Sequence, residues 1–319
     1  MREIGIMEVG GFRVGHAQNV EAATGCTVIL LDRMSPAGLD VRGGGPASRE
    51  SQLLNPLMQA EGINAVLLSG GSAFGLDAAG GVQRYLEERN IGYDVGVAKV
   101  PLVCQACVFD LAIGRKDVRP DAAMAYAACE NADGSAPQNG NWGVGTGCTV
   151  GKLRGMDSCM KAGFGSYAVQ AGPVKVGAMV AVNALGDVYG PDGNVLAGLL
   201  RPDGSGLSST LEEMFMGLEF MGAAANTTLG VVVTNVKLAK AQLCKVAGMS
   251  HNGYARAIRP VHTSADGDSI YALSTGDLTG NSDVVGILGA YAMERAIHRA
   301  VRAAQSAYGV RGMETLSNS

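Results

Sequence analysis

The stretch Asn226-Thr227-Thr228-Leu229-Gly230-Val231-Val232-Val233 could carry out chemistry on itself. A Met- and Ala-rich segment precedes it, and a run of β-branched and apolar residues follows, which reads as a buried strand. A threonine hydroxyl is a weak nucleophile. A free α-amine on the same residue can serve as its base, because that amine titrates near pH ~8. Cleavage between Asn226 and Thr227 would create this pairing, with nucleophile and base on one residue. The plainer reading is a polar turn entering a strand.

Asp266-Gly267-Asp268 is the acidic partner that survives inspection. Carboxylates at i and i+2 on an extended segment share one face, although Asp-Gly-Asp alone is a loop signal. Other motifs nearly occur. Residues 146–153 end like a phosphate-binding loop, but Leu153 stands where a hydroxyl should hold magnesium. Ser72 lacks the second glycine of a hydrolase elbow. Cys104 and Cys107 have metal-ligand spacing but no second pair, so buried thiols are expected and no metal. His262 with nearby Asp266 lacks a partner nucleophile, and a structural histidine is the better reading.

These residues need elements to hold them. Strands are expected at 3–9, 12–14, 26–31, 65–69, 95–103 and 269–273, and a hairpin at 164–169 and 174–185. Helices are expected at 48–58, 74–88, 121–131, 211–225, 239–258 and 282–304. The last would bury Val284, Ile287, Leu288, Tyr291, Ala292 and Ala296. Residues 192–210 read as an exposed linker, and the tail after Gly309 as loose. Hairpins mixed with helices in no βαβ rhythm point to an α+β fold. The 319 residues contain 47 glycines, scattered among apolar runs, which implies tight turns and close backbone approaches. A net charge of -4 gives no footprint for nucleic acid. The seven cysteines and the lack of a leader-like start point to reduced thiols in the cytoplasm. No apolar run is long enough for a membrane span.

Seven ordered blocks carry a resemblance. They are residues 41–50 (Val-Arg-Gly-Gly-Gly-Pro-Ala-Ser-Arg-Glu), 68–76, 100–111, 143–152, 182–188, 226–233 and 256–263. With them the chain resembles the self-processing aminopeptidases and amidases: L-aminopeptidase/D-esterase, β-aminopeptidases and nylon-oligomer hydrolase. The resemblance implies a layered αββα sandwich in one unit over 1–319, cut into 1–226 and 227–319. It implies hydrolysis of amide bonds near a free amino group, in small amino-terminal amides or peptides, with no cofactor. By position, Thr227 is the nucleophile, Asn183 an oxyanion donor, and Asp266 and Asp268 the acidic pair. Lys152 matches the nylon-hydrolase branch. Phe109 stands at an aromatic position beside the substrate, and the loop of Arg42 and Arg49 either contacts substrate or builds its turn. The family and the apolar composition imply a homo-oligomer, such as a tetramer, with the cut subunits kept together. Asn-Thr at the cut and the Asp pair depart from the serine branch, which weakens transfer of β-aminopeptidase specificity. An acyltransferase of the same architecture, and a relative that binds a small ligand without cutting, remain the alternatives.

Overall fold

The computed structural model describes residues 1–217 and 226–316. In chain order the principal strands are β1 (Arg2–Ile4), β2 (Phe12–Asn19), β3 (Thr24–Ser35), β4 (Ala37–Val41), β5 (Ala47–Arg49), β6 (Ile63–Ser69), β7 (Val103–Cys107), β8 (Phe164–Ala171), β9 (Val174–Asn183), β10 (Thr227–Val236) and β11 (Ser269–Leu278). One sheet runs β1-β8-β9-β10-β11-β4, the other β2-β3-β6-β7-β5. The helices are α1 (Ala79–Glu87), α2 (Ala122–Glu130), α3 (Thr210–Phe215), α4 (Lys240–Ala257) and α5 (Ser282–Ala303).

Period-two alternation assigns the layers. On β3 and β6, Val28, Leu30, Ala65 and Leu67 pack with Val82 and Leu86 of α1 and Ala125 and Ala128 of α2. Their neighbours Ile29, Leu31, Val66 and Leu68 turn the other way and join residues of the six-stranded sheet, such as Met179 and Val231. Leu243 and Val246 of α4 and Ala292 and Ala296 of α5 belong to that same cluster. The result is helix, sheet, sheet, helix, as the resemblance implies. The strand β10 lies at the centre, buried throughout except at Asn235, which is half-buried. It pairs antiparallel with β9 and parallel with β11.

That parallel pair is a departure from the expected pattern. Among the described residues there are two strand–helix–strand crossovers, β10-α4-β11 and β6-α1-β7. Antiparallel hairpins elsewhere break the rhythm and hide both in the sequence.

Other expectations shift locally. The helix expected at 48–58 is instead β5, paired with Gln105–Cys107, and a single 3-10 turn, Ser51–Leu54. Glu50, at φ 58, interrupts the backbone between them. The strand expected at 95–103 splits into a small hairpin, Tyr93–Asp94 with Lys99–Val100. Gly96 turns it at φ 85, and the Asp94 carboxylate accepts its N–H at 2.8 Å. The strand at 3–9 ends at Ile4, and Ile6–Val9 form a 3-10 turn. The region 192–210 is no free linker: Val195–Ala197 pairs with Asp187–Tyr189, and Leu199 is fully buried. The buried stripe of α5 is Val285, Leu288, Ala292, Met293 and Ala296, whereas Val284 and Ile287 face outward. The helix at 211–225 is seen as α3; residues 218–225 lie outside those described, as do 317–319. The tail after Gly309 is tied down where Arg311 donates to Gly204 and Thr315.

Candidate active site

Register brings the site together. Asn183, the last residue of β9, is the cross-strand partner of Thr227, the first of β10. On the other side Asn226 bridges to Asp266, just before β11. Three neighbouring strand ends therefore deliver Asn183, Thr227 and the Asp266-Gly267-Asp268 loop to one place.

Two donors meet on the Asn226 carbonyl oxygen. The Thr227 hydroxyl donates to it in a short hydrogen bond, and the Gly267 N–H donates at 2.9 Å. Thr227 is buried, 4% exposed. Glycine is required at 267, because a Cβ there would stand 2.7 Å from the Thr227 hydroxyl and 2.8 Å from the Gly45 carbonyl.

The Arg-Gly-Gly-Gly turn at 42–45 holds this loop from behind. The N–H groups of Arg42 and Gly43 donate to the Asp268 carbonyl, that of Gly44 to Thr263, and that of Gly45 to Asp266. A Cβ on Gly43 would lie 2.3 Å from the Asp268 nitrogen. The Arg42 side chain is engaged elsewhere, with Asp40 and the Gly248 carbonyl, both at 2.8 Å. Arg49 donates to Leu76 and Gln83.

The two aspartates have distinct tasks. Asp266 accepts from the Leu185 N–H at 3.2 Å and from the hydroxyl and N–H of Thr263. Burial, then the Asp268 charge, raise its carboxyl above the usual range, partly offset by Thr263, Leu185 and Lys152. Asp268, fully buried, accepts the Thr228 N–H at 2.8 Å on one oxygen. Its other oxygen accepts from the main chain and ring of His262.

Lys152 donates to both the main-chain and side-chain oxygens of Asn183, each at 3.0 Å. Its own main chain is fixed by a bond to the Leu185 carbonyl. Burial lowers its ammonium to about 8, against the pull of Cys159, Asp266, Cys148 and Asp110. The Asn183 carboxamide is oriented at both ends. Its oxygen accepts from Thr149 N–H and Lys152, and one N–H goes to the Phe109 carbonyl at 2.8 Å. Phe109 lines a cavity of about 480 Å³ with Phe74, Leu111 and Arg119. Charged, amide and hydroxyl groups thus gather at three neighbouring strand ends, an arrangement suited to acyl transfer.

Several contributors escape a sequence reading. Asp110 is buried and accepts from the Thr24 hydroxyl at 2.6 Å and the Gly71 N–H at 2.7 Å, which pins the Phe109 loop. Lys161, fully buried, donates to the carbonyls of Gly145, Cys148 and Ala162, bracing the turn that leads to Lys152. Asp110 sits inside a motif block and could have been flagged there. Lys161 carries no local signal.

Comparison with known proteins gives the family and the fold. The family model for peptidase family S58 matches residues 5–315. An uncharacterised aminopeptidase of Mycobacterium tuberculosis is 38% identical over 286 residues, covering 85% of this chain and 81% of that protein. A 6-aminohexanoate-oligomer endohydrolase of Kocuria sp. is 31% identical over 274 residues, covering 84% and 74%. The L-aminopeptidase D-Ala-esterase/amidase of Ochrobactrum anthropi, described as a variant of the Ntn hydrolase fold, superposes with TM-score 0.71 at 19% identity. That match covers 94% of this chain and 86% of the other. A Burkholderia sp. β-aminopeptidase gives 0.70 at 20% identity, covering 98% and 92%. The two structures share the fold. The chain belongs to peptidase family S58, and so is a hydrolase of amide bonds.

Proposed function

We propose that the chain is a self-processing amidase or aminopeptidase whose nucleophile is the threonine it exposes by cutting Asn226–Thr227. The observation that carries this is the meeting of the Thr227 hydroxyl and the Gly267 N–H on the Asn226 carbonyl. In the cut, the Thr227 oxygen attacks the Asn226 carbonyl carbon and its proton passes to a nearby base. The carbonyl oxygen gains negative charge where the Gly267 N–H already points. The carbon–nitrogen bond breaks, the Thr227 nitrogen takes a proton, and an ester joins Asn226 to the threonine oxygen. Water then hydrolyses the ester, leaving a carboxylate on Asn226 and a free Thr227.

The freed amine can next take the hydroxyl proton during attack on a substrate amide. An acyl-enzyme forms on Thr227, the substrate's amine leaves protonated, and water releases the acid. Lys152, lowered by burial, is the group best suited to relay the proton, while the Asn183 amide nitrogen, one of whose hydrogens is held by the Phe109 carbonyl, offers its other hydrogen to the oxyanion. Asp266 and Asp268 orient the strand entry and hold the new ammonium group, or a substrate's. Phe109 lines the substrate side. Substrates are small amides or peptides with a free amino end. The fragments 1–226 and 227–319 stay together because β10 is a central strand with both neighbours in place.

Intact mass under denaturing conditions, with N-terminal sequencing, tests this on wild type and Thr227→Ala. The expected result is two fragments from wild type, the smaller beginning Thr-Thr-Leu-Gly, and one chain from the variant. A wild-type chain that stays whole on long incubation overturns the proposal.

A further inference from the structure

Behind the acidic loop lies a file of rings that the reaction does not use directly. Both His262 N–H donors converge on one oxygen of Asp268, the main chain at 3.0 Å and ring Nδ1 at 2.8 Å. The other Asp268 oxygen holds the Thr228 N–H, one residue after the nucleophile. The His262 ring stands edge-on to His251, with centroids 4.7 Å apart, and leans on Tyr254 at 5.9 Å. His251 reaches the Asp40 main-chain oxygen at 3.1 Å and its carboxylate at 3.3 Å, and Asp40 pairs with Arg42 at the surface. Burial holds His251 near 4, so its ring is neutral.

Backbone geometry adds an independent sign. His262 adopts φ 59, the left-handed region that a residue with a Cβ enters at a cost. That conformation allows its main chain and its ring to grip the same carboxylate. Neighbouring bonds hold it there, including Gly44 N–H to the Thr263 carbonyl and the Thr263 hydroxyl to Asp266. Such local strain, held by its surroundings, collects at functional sites.

We propose that His262 is a positioning residue: its Nδ1–H fixes Asp268, and Asp268 in turn fixes the Thr227–Thr228 peptide for self-cleavage and turnover. This rests on the reading of Thr227 as nucleophile. The pairing demands one tautomer. Asp268 accepts at both oxygens, so Nδ1 carries the proton, while Nε2 meets no partner among the described residues. The tight packing of His251 and Tyr254 around the ring keeps it from turning away.

The test separates the hydrogen bond from the backbone and from the ring. His262→Gly suits the left-handed conformation but removes the donor. His262→Asn tolerates that conformation and places an amide N–H close to where Nδ1 stood. His262→Gly is expected to slow self-cleavage about tenfold or more, the size of one lost charge-assisted hydrogen bond. It should lower kcat with KM little changed. His262→Asn should recover the rate to within about threefold. Wild-type speed in the glycine variant overturns the proposal. Equal slowness in the asparagine variant also overturns it, since ring packing would then be what matters.

Should the glycine variant fail to fold, nitrogen chemical shifts of His262 in the uncut Thr227→Ala protein decide. The Nδ1–H tautomer is expected, and the Nε2–H tautomer refutes the pairing. A wild-type protein that never cuts would sink the nucleophile reading by itself, while the tautomer would still report on His262 and Asp268.

Discussion

Gly267→Ala tests the geometry at the proposed cleavage bond, Asn226–Thr227, with one methyl group. The added carbon would lie 2.7 Å from the Thr227 hydroxyl oxygen, 2.8 Å from the Gly45 carbonyl and 3.3 Å from the Pro46 Cα. Ordinary carbon–oxygen contacts begin near about 3.3 Å, so two of these are short by about 0.5 Å. The Gly45 carbonyl belongs to the turn that is bound to Asp266 through Gly45 N–H, and it yields reluctantly. The Thr227 side chain yields more easily, by rotating off the Asn226 carbonyl. Overpacking of this kind costs about 1–3 kcal/mol of stability. Displacing a reacting atom by about 1 Å costs roughly 100-fold in rate. Gly267 has no positive φ, and alanine keeps the N–H that faces Asn226, so a loss reports on the hydroxyl rather than the oxyanion donor. The assay follows uncut chain by intact mass against time, alongside thermal melting. Gly80→Ala, in α1 with open space around its Cβ position, is the control and should cut at the wild-type rate. A folded Gly267→Ala protein that cuts within about threefold of wild type would refute the argument, because a displaced hydroxyl predicts a loss of about tenfold to 100-fold.

Two further expectations concern titration. Lys152, lowered by burial to about 8, becomes neutral as pH rises through that value. If it takes the Thr227 proton, self-cleavage should rise about tenfold per pH unit below 8 and level off above it. A rate flat between about pH 6 and 9 would remove Lys152 from the role of base. Asp187 is buried at the start of α3, where it accepts from Thr210 N–H at 2.6 Å, Thr210 hydroxyl at 2.7 Å and Leu199 N–H at 2.8 Å. Burial raises it from 3.8 to about 6, so the folded chain holds its proton more tightly than the unfolded chain does. Its contribution to stability is therefore full below about pH 4 and is lost as pH rises through about 6, up to roughly 3 kcal/mol. Asp187→Asn should flatten that part of a melting-temperature profile, and an unchanged slope would count against the raised value.

The sequence exposed the residues of the candidate site more readily than the scaffold. Lys152, Asn183 and Thr227 lie in separate blocks of one ordered series, the Asp pair follows just past the last block, and the register of β9, β10 and β11 gathers them. Hairpins and long helices were legible because their apolar periods are long. The two parallel crossovers were not. Pairing of β6 with β7, or β10 with β11, depends on partners 30 or more residues apart, and nothing local records them. Short elements failed for a related reason. Residues 47–49 have no strand pattern of their own and become β5 only because the edge of β7 offers hydrogen bonds.

The glycines join these two levels. A nucleophile inside a continuous chain must be buried enough to exclude water, yet close enough to its own peptide bond to attack it. A central strand supplies the burial, but its neighbours would ordinarily crowd the reacting atoms with side chains. Here Gly43 lets one loop approach the Asp268 nitrogen, and Gly267 lets its N–H approach the Asn226 carbonyl without a Cβ striking the hydroxyl. Backbone amides then serve as donors at positions that side chains could not reach. A carboxylate or ammonium in the same space would need its own solvation, whereas a hydrogen-bonded N–H held by a turn costs far less to bury. The glycine-rich composition thus shapes the candidate site: it lets three strand ends and one turn share the volume around a single peptide bond.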